Sequence, residues 1–161
     1  MNKMLEAFRQ FSNEHELIYP YHSLNKVADA VFHHIPDELD YPQCNYGWYP
    51  LIMDMLKELI DAGWNKQIAV IKQKFGYLEF YPTIPYSALP DVQQAIVRKY
   101  QERAKHTCEL TGVSEDTGWW GDGWITCICR AEALKKCESN GLTLEDCWTT
   151  EHPLKVWAAK K

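Results

Sequence analysis

Six of the 161 residues are cysteine, and Cys108, Cys127 and Cys129 stand close enough in the chain to suggest a metal site. A structural zinc ion is held by four thiolates or imidazoles in tetrahedral order, usually as two close pairs of the CxxC kind. Here Thr111 stands where the partner of Cys108 would be, and Cys127 and Cys129 are one residue closer than the usual pair. His106 or Cys137 would have to complete the set. Three readings stand: an intact zinc site, a zinc ribbon that has lost ligands, and thiols in apolar packing. Zinc is the one cofactor these residues raise.

A second chemistry is stacking. Trp119, Trp120 and Trp124 lie among Gly118, Gly121 and Gly123 in SEDTGWWGDGW (Ser114 to Trp124), which reads as a loop. Its rings either stack on a base or a partner side chain or plug a small subdomain. Charge is the third. The net charge is -5, which argues against a nonspecific duplex-DNA binder. Yet between Lys66 and Lys105 seven basic residues (Lys66, Lys72, Lys74, Arg98, Lys99, Arg103, Lys105) face three acidic ones (Glu79, Asp91, Glu102). A local basic surface on an acidic protein suits a small anionic ligand or an acidic protein patch, and a solvated helix face is the plain alternative. The candidate ligand-binding set is thus Lys72, Lys74, Arg98 and Arg103 for charge, with Tyr77, Tyr81, Trp119, Trp120 and Trp124 for stacking.

Catalytic residues are not indicated. His15, His22, His33 and His34 have no Cys, Ser or carboxylate at a catalytic spacing. Glu115, Asp116 and Asp122 lack the order of a calcium loop and read as a solvated acidic loop.

The elements that must position these groups centre on Gln67 to Tyr81, QIAVIKQKFGYLEFY. Period-two alternation predicts two strands joined through Lys72 to Gly76. Ile68, Val70, Leu78 and Phe80 are expected on the core face, with Ala69, Ile71, Tyr77 and Tyr81 on the other. Asn2 to Leu17 reads as an amphipathic helix on Met4, Leu5, Phe8 and Phe11, and Ser23 to His34 as a second. Asp37 to Cys44 has no period and reads as a loop. Gly47 to Ala62 is the strongest helix, with Pro50 in its first turn and Gly63 as its stop. Asp91 to Lys105 is predicted helical, with Val92, Ala95, Ile96, Lys99 and Arg103 marking adjoining faces. A short helix from Ala131 to Glu138 ends near Gly141, and Thr143 with Asp146 suggests a cap for a final helix carrying Trp148. The fold expected is α+β: helices on a small antiparallel hairpin (1–106) and a Trp-rich, Cys-containing knuckle (107–161) packed on it. There is no signal peptide and no membrane-spanning run, so the expected location is the cytoplasm.

GWYxLI (Gly47 to Ile52), IKxKFGxLxFY (Ile71 to Tyr81), CExxG (Cys108 to Gly112) and GWIxxxC (Gly123 to Cys129) together resemble a family of small uncharacterised proteins of tailed bacteriophages and prophages. The resemblance spans about Gly47 to Ala133, and the FGxLxFY segment is its most specific part. It implies an α+β domain with a zinc-ribbon-like C-terminal knuckle and a phage setting, and it brings no established activity. The family has a second Cys where Thr111 stands, a C-x-x-H or C-x-x-C pair where Cys129 and Glu132 stand, and Arg at the place of Glu79. Two presumed ligands are therefore gone. The function expected is non-enzymatic: a host-directed or anti-defence inhibitor, in the host cytoplasm, that binds a host protein or sequesters a small nucleotide signal. The alternatives are an accessory nucleic-acid-binding protein and an enzyme acting on nucleotides.

Overall fold

The computed structural model describes residues 2–20, 41–121 and 123–155. The helix expected from Ser23 to His34, and the first part of the loop before Cys44, lie outside the described residues.

Helix α1 (Lys3–Glu14) starts on Asn2, whose Oδ1 accepts a hydrogen bond from the Met4 N–H at 2.8 Å. Its oily face puts Phe8 in the core, edge-on to Tyr49 with 5.6 Å between ring centres. Helix α2 (Tyr49–Asp61) follows a 3-10 turn at Tyr46–Trp48, carries Pro50 in its first turn and stops at Gly63, where φ is +80°. Leu51, Ile52, Met55, Leu56 and Leu59 are all buried, as their spacing predicts, and each contributes about 1.5–3 kcal/mol of hydrophobic burial. Helix α3 (Asp91–Ala104) packs on α2 through Gln93, Val97, Tyr100 and Ala104. Val92 is exposed, so the buried stripe begins one residue later than the apolar pattern suggested. Gln93 takes the inner position because its amide donates to Ala62 O at the end of α2 (3.2 Å).

Strands β1 (Ile68–Lys74) and β2 (Tyr77–Pro82) form the expected antiparallel hairpin. The strands run further than expected, and the turn is only Phe75 and Gly76, both with positive φ (53° and 79°). That geometry matches the twist of a two-residue hairpin turn. A β-bulge between Ile68 and Val70 shifts the alternation. The core face therefore carries Ile68, Ile71, Gln73, Leu78 and Phe80, while Val70 is only half-buried. This corrects the expected placing of Val70 and Ile71. The outer edge of β1 is bridged by Gln43, whose N–H donates to Ile71 O at 2.9 Å and whose carbonyl accepts from Gln73 N–H at 3.0 Å.

The Trp-rich segment is not a loop. Thr117–Gly121 is strand β3, paired on one side with β4 (Ile125–Cys129) and on the other with β5 (Trp148–Thr149), giving the order β4-β3-β5. Its glycines disguised it, since glycine is depleted in strands. At Gly118 a Cβ would fall 2.5 Å from Thr149 O and 2.6 Å from the Trp148 ring, so only glycine lets β5 approach. Helix α4 (Arg130–Asn140) ends at Gly141 (φ +65°), and α5 (Leu144–Cys147) is a single turn. Trp148 belongs to β5 instead of a final helix. Its indole N–H reaches Ile128 O at 3.1 Å, which favours the strand.

The fold is α+β. One apolar cluster joins Phe8, Trp48, Ile52, Met55, Leu56, Ile71, Leu78, Phe80 and Val97, and it takes in Cys127 across the expected boundary at residues 106 and 107. A smaller one holds Cys108, Trp120, Ile128, Cys129, Ala133 and Cys137. Hydrogen bonds tie the two: Trp48 Nε1 to Thr107 O (2.7 Å), Gly47 N–H to Glu109 O (2.8 Å) and Glu109 N–H to Cys127 O (2.8 Å). Among the described residues no helix is long and apolar enough to cross a membrane.

Candidate ligand-binding cleft

The edge of β1 and the β3–β4 turn face each other across a cavity of about 650 Å³. Lys72 and Lys74 come from β1, Phe75 from its turn, Trp124 from the β3–β4 turn, Ile125 from the start of β4, and Leu154 from the segment after β5. Large apolar groups stand in solvent here: Trp124 is 68% exposed, Phe75 54% and Leu154 41%. Such clustering marks a binding surface more often than a scattered exposed side chain does. Phe75 also holds positive φ, a costly backbone state for an aromatic residue and one that gathers at ligand sites. The Lys72 ammonium lies 5.4 Å from the Tyr81 ring centre and that of Lys74 5.8 Å from the Phe75 ring. Among the described residues neither lysine is ion-paired, whereas Lys99 binds Glu58 (2.7 Å), Lys105 binds Glu102 (2.8 Å) and Arg103 lies 3.9 Å from Asp54.

Beneath the cleft lies a polar layer. Gln73 is 9% exposed, and its Nε2 donates to Ile125 O at 2.7 Å and lies 3.5 Å from Glu109 Oε2. Glu109 is fully buried and has no cation beside it among the described residues. Its Oε1 accepts from the Asn45 backbone N–H and side-chain amide, each at 3.0 Å. Burial pushes the Glu109 carboxyl above its ordinary 4.5, and the Asn45 and Gln73 hydrogen bonds only partly oppose this. A carboxyl raised in the folded state makes its ionised form a cost, so stability should fall as pH rises from 4.5 through the folded-state value. Glu109→Gln is neutral throughout. The melting temperature of that variant relative to wild type should therefore be higher at pH 7.5 than at pH 5, and an equal gap at both would mean that Glu109 does not titrate in this window.

The far wall is fixed by His152. Its ring is 2% exposed, stacks on Tyr77 (4.3 Å, 13° between planes) and meets Trp119 edge-on at 5.2 Å. The Leu154 N–H donates to Nδ1 (3.3 Å), so the proton sits on Nε2, which donates to Phe75 O at 2.6 Å. The C-terminal segment is thereby clasped to the β1–β2 turn.

Of the nine expected ligand-binding residues, the structure brings Lys72, Lys74 and Trp124 together in this cleft. Tyr77 packs behind it against Trp119 and His152, with the Lys105 ammonium 5.6 Å from its ring. Tyr81 and Arg98 line a separate hollow of about 550 Å³ beside Ile84 and Tyr86. Arg103 lines a third, of about 310 Å³. Trp119 is half-buried against the main core, and Trp120 is buried in the small cluster under Lys136. Sequence reasoning missed Gln73, Glu109 and His152; the signal available for Gln73 was its alternation with Ile71.

Cys108 and Cys129 share the small cluster, while Cys127 faces the main core. The Cys127 thiol lies 3.4–3.6 Å from the carbonyls of Ala104, Lys105 and Thr107, an environment for an S–H donor. Burial, with Cys108 and Glu109 nearby, pushes it up to about 12. Burial also raises Cys108, but hydrogen bonds from Thr111 and from backbone N–H groups outweigh it and hold that thiol below its ordinary value. Among the described residues no three His, Cys, Asp or Glu side chains are grouped to hold a metal ion. A thiol aimed at three carbonyls, and a hydroxyl in place of a second ligand, do not suit zinc.

No family model, curated protein or solved structure matches this chain. The likeness to the phage family rests on the residues quoted above.

Proposed function

We propose that this protein binds, without converting it, a small anionic ligand with a planar ring, of the nucleotide class, in the cleft between β1 and the β3–β4 turn. The observation that carries this reading is the pairing of two lysines that make no ion pair among the described residues with two solvent-exposed aromatic rings around one cavity of about 650 Å³. That volume lies within the usual range of roughly 300–1,000 Å³ for small-molecule sites. Phosphate would take the Lys72 and Lys74 ammonium groups, and a base would lie on Trp124 or Phe75. In the phage setting that the FGxLxFY resemblance implies, such a protein acts as a host-directed or anti-defence factor that removes a nucleotide signal. A nucleic-acid track along α3 is less well supported, because Lys99, Arg103 and Lys105 each face a carboxylate.

Melting curves of the protein with linear and cyclic nucleotides test the reading. At least one should raise the melting temperature saturably, with about 2.7 kcal/mol of added stability at a hundredfold excess over Kd. It should also be recovered chemically unchanged after denaturation. No shift across the panel would sink the nucleotide reading, and a converted ligand would sink the non-enzymatic one.

A further inference from the structure

The outer edge of β1 runs along the cleft, and one step of it is left without hydrogen bonds. Which residues turn their backbone groups outward follows from Gln43, which donates to Ile71 O at 2.9 Å and accepts from the Gln73 N–H at 3.0 Å. Ile71 and Gln73 therefore face away from β2, while Lys72 and Lys74 bond to their partners Glu79 and Tyr77. The next step of this parallel ladder would bring the Asn45 N–H to Gln73 O. Instead the Asn45 N–H donates to Glu109 Oε1 at 3.0 Å, and the chain leaves the edge there. Gln73 O is thus directed outward with no hydrogen-bond partner among the described residues. The same holds for the Phe75 N–H, which shares a peptide plane with the Lys74 carbonyl facing Tyr77 and so points the opposite way. Both residues line the cavity, and Phe75 is 54% exposed. The polar end of the Gln73 side chain is sealed beneath the strand, so the polar group this residue offers the cavity is its backbone carbonyl.

We propose that the backbone edge of β1 reads the base of the bound nucleotide: a ring donor bonds to Gln73 O and the neighbouring ring acceptor takes the Phe75 N–H. The inference rests on the nucleotide reading above and adds to it which protein groups recognise the base. Three features converge on a ring edge. The free stretch holds one acceptor and one donor, bounded by Gln43 on one side and by the turn at Phe75 and Gly76 on the other. A peptide added as a strand repeats such pairs along an edge, so this stretch is too short for one and matches the side of a single ring. The opposite wall leaves room for that ring, since Gly121 and Gly123 line it and a Cβ at either would meet nothing within 4 Å. Lys72 and Lys74 flank Gln73 in sequence, which puts the phosphate contacts beside the base contact. Once a ligand has displaced water from the cleft, a ring lacking the donor and acceptor leaves both backbone groups unpaired, and that is the source of selectivity.

The test is a titration of the ¹³C,¹⁵N-labelled wild-type protein with the linear and cyclic nucleotides of the melting panel, and with ribose 5-phosphate as the probe that keeps a phosphate and has no base. With the nucleotide that raises the melting temperature, the Phe75 amide proton and the Gln73 carbonyl carbon should both move downfield saturably, as they do on accepting new hydrogen-bond partners. The Gln73 N–H, already bonded to Gln43, should move little. Ribose 5-phosphate should bind about tenfold or more weakly and leave both signals in place. A nucleotide that binds while either signal fails to move downfield overturns the paired contact and leaves the nucleotide reading standing, as does ribose 5-phosphate binding equally well. No binding by any nucleotide, together with no melting shift across the panel, overturns both.

Discussion

Gly47→Ala should destabilise the protein by about 3 kcal/mol or more. A Cβ at residue 47 would lie 2.5 Å from Cys108 O, 2.5 Å from Glu109 O and 2.6 Å from Gly112 N. All three are backbone atoms, so no rotamer change can relieve the overlap. The same spot is where the helical layer is stitched to the Cys108–Gly112 turn, through the Gly47 N–H to Glu109 O bond and the Trp48 indole on Thr107 O. Separating them would also disturb the Asn45 hydrogen bonds that satisfy the buried Glu109. Urea unfolding measures the loss. Gly121→Ala is the control, because a Cβ there would meet nothing within 4 Å, and its effect should stay within about 0.5 kcal/mol. Equal stabilities for the two variants would mean that the turn does not rest on residue 47.

The second large effect is on binding. Changing Lys72 and Lys74 together to Ala should weaken a nucleotide by at least a hundredfold, since each charge-assisted contact is worth about 1.5–3 kcal/mol. Their side chains leave the non-core face of β1 and have no ion pair among the described residues, so stability should hardly change. Trp124→Ala should cost about 1–3 kcal/mol of binding through lost stacking, also without unfolding, because the ring is 68% exposed. Arg98→Ala and Arg103→Ala lie in other hollows and should bind as wild type does. Retained affinity in the double lysine variant would remove the phosphate contact from the proposal.

What could be read in advance follows from how local each signal is. The face of α2 was legible because five apolar residues at helical spacing leave one solution. The hairpin was legible as a hairpin, but its register was not. Ile68, Ala69, Val70 and Ile71 are all apolar, so a bulge that flips the faces leaves no trace in the pattern. Strand β3 was hidden by glycines that serve close approach of β5, which nothing near them in sequence announces. In the cleft, Lys72, Lys74 and Trp124 were found because charge and flat rings carry their chemistry on their own. Glu109 and His152 were not, because their roles arise from partners 64 and 77 residues away, Asn45 and Phe75. The basic middle looked more available than it is, since Lys99 and Arg103 meet carboxylates from α2 that only the packing of α2 on α3 brings near.

The most direct measurement is a nucleotide titration followed by the tryptophan indole N–H resonances in ¹⁵N-labelled protein, with Trp124 assigned by its Phe variant. The Trp124 signal should move saturably with the ligand that raises the melting temperature, while those of buried Trp64 and Trp120 stay in place. A saturable response elsewhere with Trp124 unmoved would contradict the proposed site, and no response from any indole would contradict binding in this cleft.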